Sequence, residues 1–468
     1  MKKSKNYSAP KAVHQKITEE KSESLDLLRT LIGFPGISAD GFQSQALAET
    51  ADYLLSTCRS YGWKEIEKFQ FDDSAPYIFV NLPTKNPKAP TILLYAHYDV
   101  QPVGNEHLWR SPPFKATILN QRLYGRGSAD DKVGVATILS AIKAFQNSGH
   151  PLPVNLKILF DGEEESGSPH MLSYLKKNKK KLKADYLIVP DLINPRTHTP
   201  GITFCLRGLI EFSVKISALK KAVHSGLANG VTPDPTACMA KIYGNAIGPN
   251  GEVNIPGIKS SKKIPKFIQS QLKNIPFSSK ELAKEFNLLP SVPLLKKTPS
   301  KYFEALWFSP ALTLLHTKIA EKNHHANCVQ PEMEAIFSLR VSPLQNIDHV
   351  AKALRRYFTQ NLPFGCRSQF KIDVKAPGFF TSPEKPFFQK ALKAVSSAYP
   401  QKALAMGAGL SIPFVHLFQK QFGNLKTILL GVEDPQSHAH SENESVHLPM
   451  VEKTTRSLVN LFEVFSRS

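Results

Sequence analysis

Four continuous apolar runs punctuate the chain: "TILLYAH" (Thr91–His97), "VNLKILF" (Val154–Phe160), "DYLIVPD" (Asp185–Asp191) and "KTILLG" (Lys426–Gly431). Their apolar residues fall on successive rather than alternate positions, the pattern of strands buried on both faces, as in a parallel sheet. Between the first two, "KVGVATILSAIKAFQNSG" places apolar residues at helical spacing and stops at Gly149, a common C-cap residue. The order strand, helix, strand predicts an α/β domain. Upstream, from about Ile17 to Trp63, helical periodicity comes in two pieces, parted by the Gly-Phe-Pro-Gly turn signal in the stretch from Gly33 to Gly41.

The texture changes at about Gly208. "EFSVKISAL" and "EMEAIFSLRV" alternate apolar and polar residues and so predict strands with one wet face. This region runs to about Lys375 and contains a Lys- and Pro-rich stretch, Gly251–Pro310, too long for an ordinary connection, so it reads as an insertion with short helices or as a mobile segment. After about Phe379 the helical "FFQKALKAVSSAY" and the run "KTILLG" restore the α/β texture. The expected architecture is a mostly parallel α/β domain in two parts, residues 1–207 and 376–468, interrupted by a smaller α+β domain at 208–375. A length of 468 residues fits this, being too long for one hydrophobic core.

Composition narrows the setting. The net charge of +20 gathers in "KKNKKKLK" (Lys176–Lys183) and "KSSKKIPK" (Lys259–Lys266), neither interleaved with aromatics, so a solvated face is expected and no nucleic-acid partner. The basic start has no apolar segment behind it, and no run reaches the ~18 apolar residues of a spanning helix, which predicts a cytoplasmic protein without a membrane partner. Cys58, Cys205, Cys238, Cys328 and Cys366 are odd in number and scattered, which argues against both a disulfide framework and a zinc ribbon.

Side chains that can hold a metal stand at or just beyond the ends of the buried runs. His97 and Asp99 follow the first, Glu163–Glu165 the second, Asp191 ends the third, and "HAHSENE" (His438–Glu444) follows the last. In open α/β sheets these ends face one crevice. Adjacent carboxylates there repel one another and lose hydration, unless cations neutralise them. Imidazole with carboxylate suits zinc, or manganese and cobalt, better than calcium or magnesium. In this reading Glu165 coordinates, Glu164 stays unligated as the general base, and Glu163 is dispensable beside them. His438 competes with His440, and Asp131 with Asp130, because neighbouring side chains differ mainly in direction. His324 and His325 are read as loop residues, and no His–Asp pair is placed to activate Ser128 or Ser411.

"HYDVQP" (97–102), "LYGRGSADDK" (123–132), "EESGS" (164–168), Asp191, "HSG" (224–226) and "HSENE" (440–444) together resemble the M20 family of zinc metallopeptidases, above all its carnosinase-like cytosolic dipeptidases. The resemblance implies a catalytic α/β domain and a smaller lid that mediates a homodimer. It makes His97 and Asp191 ligands of one zinc, Glu165 and His440 ligands of the other, and Asp130 the bridge between two zinc ions per subunit. It gives Asp99 the task of orienting His97, Glu164 that of base, and Arg340 that of binding the substrate carboxylate. Ser411 lies in the pocket loop, and His224 polarises the scissile carbonyl of the neighbouring subunit. Two departures stand out: Lys132-Val133-Gly134 where the family has Lys-Gly, and Gly407-Ala408-Gly409-Leu410-Ser411 where it has Gly-Gly-Ser. The function implied is metal-dependent hydrolysis of dipeptides. An N-acyl-amino-acid deacylase or a desuccinylase of the same family is the alternative, and a non-catalytic binding protein the remote one.

Overall fold

The computed structural model describes residues 7–258, 266–272, 275, 277–319, 327–360, 362–423 and 425–467. His324, His325 and all of Lys259–Lys266 but Lys266 lie outside the described residues. The chain divides into two compact units: Met1–Phe204 with Thr381–Met406 and Leu417–Ser468, and Cys205–Phe380 with Gly407–His416. The segment after residue 376 is thus shared between them.

In the first unit the strands stand in the order Glu65–Phe69, Tyr77–Leu82, Asn155–Asp161, Thr91–His97, Tyr186–Ile193 and Lys426–Glu433. The last four are mutually parallel, and they are the four apolar runs. On one side the sheet is extended by antiparallel pairing to Tyr77–Leu82 and then to the edge strand Glu65–Phe69, and on the other Gly201–Leu206 pairs antiparallel with Lys426–Glu433; Glu65–Phe69 is too polar and too exposed to have the buried pattern. Asn155–Asp161 and Tyr186–Ile193 extend past the apolar residues that announce them. At Asp191 the pairing with the neighbouring strand slips, Pro190 facing Leu430 and Leu192 facing Gly431. An extra residue in one strand re-aims its side chain, so Asp191 is presented by a bulge rather than by a strand end.

Helix Lys132–Asn147 packs against this sheet and against the C-terminal helix Leu448–Ser466. Upstream, the helices Lys11–Glu19, Lys21–Ile32 and Gln45–Ser60 begin earlier than the periodicity suggests, since Val13 and Ile17 already bury one face of the first. No described helix is long and apolar enough to cross a membrane.

The second unit is built on an antiparallel sheet ordered Ala311–Lys318, Glu332–Val341, Gly208–Ser217 and Arg367–Ala376. Gly208–Ser217 alternates buried and half-buried residues along its whole length, as its sequence requires. Its buried face joins helices Pro235–Ala246 and Ile347–Thr359 in a core where Phe212 meets Phe337, Phe358 and Phe370. The Lys- and Pro-rich stretch contains the helices Lys266–Leu272, Ser279–Glu285 and Pro299–Phe308.

Candidate metal centre

The strand ends of the first unit bring His97, Asp130, Glu165, Asp191 and His440 together in two overlapping groups. His97, Asp130 and Asp191 offer ligand atoms that all lie within 4.8 Å of one another, and so do Asp130, Glu165 and His440. His97 Nε2 is 2.9 Å from Asp130 Oδ1 and 3.9 Å from Asp191 Oδ1. His440 Nε2 is 2.9 Å from Asp130 Oδ2 and 3.1 Å from Glu165 Oε2. Asp130 therefore turns one oxygen toward each group. Imidazole nitrogen mixed with carboxylate oxygen, with one carboxylate common to both groups, is a donor set that fits a pair of borderline divalent cations.

The surrounding hydrogen bonds explain why these residues stand where they do. Asp99 Oδ1 and Oδ2 accept from the main-chain N–H groups of Glu164 and Glu165, at 3.1 and 3.0 Å. Its Oδ1 is also 3.3 Å from His97 Nδ1, so one buried carboxylate sets both the His97 ring and the glutamate turn. The Asp131 carboxylate belongs to neither group: its Oδ1 accepts from Gly134 N at 3.1 Å, capping helix Lys132–Asn147. His438 stands two residues from His440 in the same irregular loop, outside both groups.

Electrostatics mark the cluster as one that wants cations. The His440 ring is pushed up to about 11 by its hydrogen bonds to Asp130 and Glu165. His97 is raised as well: burial works to lower it, but Asp130 and Asp99 outweigh burial. The Asp130 carboxyl is held low by the two histidines, against its burial. Glu164 behaves differently. Burial, with Glu165, Asp130 and Asp99 nearby and only His97 opposing, pushes it up to about 8. Among the described residues its carboxylate has neither a hydrogen bond nor an ion pair, whereas Glu165 is engaged by His440 and by Gln101 Nε2 at 2.9 Å.

Three residues carry more than the sequence revealed. Glu444 is fully buried and accepts from Arg126 Nη1 at 2.8 Å, Gly127 N at 2.9 Å, Ala129 N at 2.8 Å and Asp130 N at 3.1 Å, so it holds the turn that presents Asp130. Glu433, buried at the end of its strand, has its carboxyl raised by burial together with Asp130 and Asp191. The strand-end rule that found His97 applied to it equally. Glu163 has a structural part that its sequence position does not show: its oxygens accept from Ala75 N and Tyr77 Oη, each at 2.8 Å, and from His170 Nδ1 at 2.9 Å. It anchors the glutamate turn from behind.

Arg340, Ser411 and His224 belong to the second unit. Arg340 Nη1 donates to Ser411 Oγ at 2.9 Å, and the Ser411 hydroxyl donates to the main-chain oxygen of Arg207 at 2.6 Å. The Arg207 guanidinium is pulled down to about 10, first by burial and then by Arg340. His224 is exposed at the end of the short strand Val223–His224, which pairs with Cys328–Val329, and its Nδ1 accepts from Gly226 N at 3.1 Å, which leaves the proton of a neutral ring on Nε2.

Residues 93–464 match the family described as peptidase family M20/M25/M40, a span well over half of the chain. The chain belongs to this family. A cysteinylglycine-S-conjugate dipeptidase of Corynebacterium striatum is 30% identical over 400 residues, covering 85% of this chain and 86% of that one. The human Beta-Ala-His dipeptidase is 24% identical over 368 residues, covering 77% and 72%. Among solved structures, an M20 family metallo-carboxypeptidase from Sulfolobus solfataricus superposes with a TM-score of 0.82 at 25% identity, covering 95% of this chain and all of that one (100%). The resemblance drawn from six short motifs therefore holds over most of the chain, and the protein is a metal-dependent hydrolase of the M20 peptidases.

Proposed function

We propose that this M20 peptidase hydrolyses the amide bond of dipeptides with a free C-terminal carboxylate. The observation that supports it most is the contrast within the glutamate pair: Glu165 is engaged with His440, while the Glu164 carboxylate beside it has no partner among the described residues. A carboxylate kept free next to two ligand groups suits proton transfer rather than coordination.

His97, Asp130 and Asp191 would hold one zinc ion, and Asp130, Glu165 and His440 the other; manganese or cobalt suits the same donors. Such cations would supply Lewis acidity to a water molecule and to the carbonyl oxygen of the substrate. Glu164 accepts the proton of that water as its oxygen adds to the carbonyl carbon. It then gives the proton to the amine nitrogen as the C–N bond breaks, leaving a carboxylic acid and a free amine, and the acid's proton passes on to the amine or to solvent. Asp99 keeps the His97 ring in the tautomer that turns Nε2 toward the ligand group. Arg340, with Ser411 beside it, grips the substrate carboxylate by two parallel hydrogen bonds.

We assign the smaller unit the part of lid and homodimer interface. The Nε2–H of His224 would donate to the developing oxyanion in the neighbouring subunit, an interaction whose loss costs about a hundredfold or more. Mixing His224→Ala with Glu164→Gln subunits should then recover activity, and no recovery after demonstrated exchange would place His224 within its own site or outside the reaction. The cysteines form no disulfide, which supports a reducing, cytoplasmic setting.

Metal analysis with a substrate panel tests the reading. Dipeptides, Cys-Gly and β-Ala-His among them, should be turned over far better than N-acetyl or N-succinyl amino acids. Preference for the acylated compounds would establish the deacylase alternative, and inactivity of the metal-loaded protein toward both classes would refute either enzyme.

A further inference from the structure

The Lys- and Pro-rich stretch gains a role from what its last helix touches. Phe277, Tyr302 and Phe303 form a ring cluster, with Phe303 4.8 Å from Trp307 between ring centroids. Trp307 is only 1% exposed, and it closes this cluster against Gly407. A Cβ on Gly407 would stand 2.5 Å from Cγ and Cδ2 of the indole and 2.8 Å from Cys205 Sγ. A Cβ on Gly409 would stand 2.9 Å from Leu306 Cδ1 and 2.9 Å from Arg207 Nη2. Close approach demands both glycines; neither has a positive φ.

Arg207 completes the arrangement. Its Nε donates to Gly409 O at 3.1 Å and its Nη1 to Ser309 O at 3.4 Å, so one guanidinium ties the end of helix Pro299–Phe308 to the Gly407–Ser411 loop. The same residue's main-chain oxygen accepts from Ser411, whose oxygen accepts from Arg340. The strand after the helix then pairs directly with Arg340, Ala311 lying opposite it. Among the described residues neither Arg207 nor Arg340 has a hydrogen bond or ion pair to a carboxylate, and Glu211 acts on Arg340 only at longer range.

We propose that helix Pro299–Phe308 is a specificity element: Trp307, Leu306 and Arg207 fix the course of Gly407–Ser411 and, through Ser411, the direction in which Arg340 presents its guanidinium to the substrate carboxylate. The inference rests on the dipeptidase reading above. Arg207 and Trp307 are positioning residues that act through Arg340. A long, flexible side chain binds a carboxylate in two-pronged fashion only while its fork is held, and a displacement near 1 Å can cost as much as about a hundredfold.

The test compares Trp307→Leu, Gly407→Ala and Arg207→Lys with Arg340→Ala, measuring kcat and KM on free and C-terminally amidated dipeptides, with metal content alongside. KM for the free dipeptide should rise about tenfold or more while kcat changes little, and the preference for free over amidated substrate should shrink. Metal content should not change, since none of these residues belongs to the ligand groups. Trp307→Phe, which keeps a flat ring against Gly407, should restore most of the preference. Folded variants that keep both the wild-type KM and the preference overturn the proposal. Should Gly407→Ala not fold, the Trp307 pair and Arg207→Lys decide alone. If Arg340→Ala itself leaves the preference intact, the carboxylate reading fails and this inference falls with it. If Arg340→Ala abolishes the preference while the other variants keep it, only the role of the helix is lost.

Discussion

The carboxylate and histidine cluster of the first unit and the arginine cluster of the second solve opposite problems with opposite means. The first gathers negative charge beside the ends of parallel strands, where a strand end aims His97, a bulge aims Asp191, and turns held by Glu444 and Asp99 aim Asp130 and Glu165. The second confines two guanidinium groups, Arg207 and Arg340, and steadies them with carbonyls and a hydroxyl instead of carboxylates. One is a site short of positive charge, and the other a site short of negative charge. The difference teaches where tolerance lies. The first cluster depends on a few buried acceptors that hold its turns, whereas a fork steadied by one serine and a loop depends on everything that packs against the loop.

The sharpest way to break this comparison is inside the glutamate pair. Glu164→Gln should keep nearly normal metal content and lose about 10²–10⁴-fold in kcat, since the amide keeps the shape but cannot take the proton. Glu165→Gln should instead lose one of two metal ions, because it removes a charged ligand that faces His440. Metal analysis and steady-state kinetics of both variants decide, and equal metal loss in the two would erase the division.

Glu444 tests whether support matters as much as ligation. Four donors converge on its two oxygens, all from the turn that ends at Asp130. An amide would turn an N–H group toward one pair of them. Glu444→Gln should therefore lower metal affinity about 10–100-fold, the usual cost of losing an outer partner of a ligand. Titration with a competing chelator measures this, and wild-type affinity would reduce Glu444 to a neighbour.

Proton linkage probes the charge argument directly. With neighbouring carboxylates raising both rings, His97 and His440 hold protons near neutral pH until a cation displaces them. The sign follows: a cation needs the neutral ring, so binding releases protons and affinity rises with pH, about tenfold per unit for each proton released. Calorimetry in buffers of different ionisation enthalpy should show this release, and a heat independent of the buffer would contradict it.

These tests also show what could be read in advance. The parallel strands are legible because continuous apolar runs have few other homes, and His97, Glu165, Asp191 and His440 stand out as candidates because they sit beside those runs, whereas Asp130 comes from the family resemblance. Glu433 stands at a strand end as well, but the histidine-rich loop that follows it offers stronger metal donors and masks it. The bulge that aims Asp191 left no trace in residue types, since an extra strand residue is a matter of pairing. Glu444 and Glu163 were hidden for another reason: a buried acceptor of backbone N–H groups differs from a surface glutamate only in where the chain folds. Arg340 and Ser411 came from the family resemblance alone, because an arginine on an alternating strand looks solvated. Their hydrogen bond joins residues far apart in sequence, and nothing in either local pattern announces it.

The smallest effect sharpens the comparison most. Arg340→Lys keeps the positive charge and much of the reach but loses the planar fork, and only one of two parallel hydrogen bonds to a carboxylate can be rebuilt. A hydrogen bond to a charged group contributes about 1.5–3 kcal/mol, so the lower end of that range predicts a rise in KM of about tenfold with kcat nearly unchanged. Lysine also cannot both hold the Ser411 hydroxyl and grip a carboxylate with fixed geometry, so the discrimination against amidated dipeptides should weaken but not vanish. Metal content should match the wild type, because Arg340 belongs to neither candidate ligand group. A Lys variant with unchanged KM would mean that charge alone suffices, and that the steadying of the fork by Ser411 has no bearing on recognition.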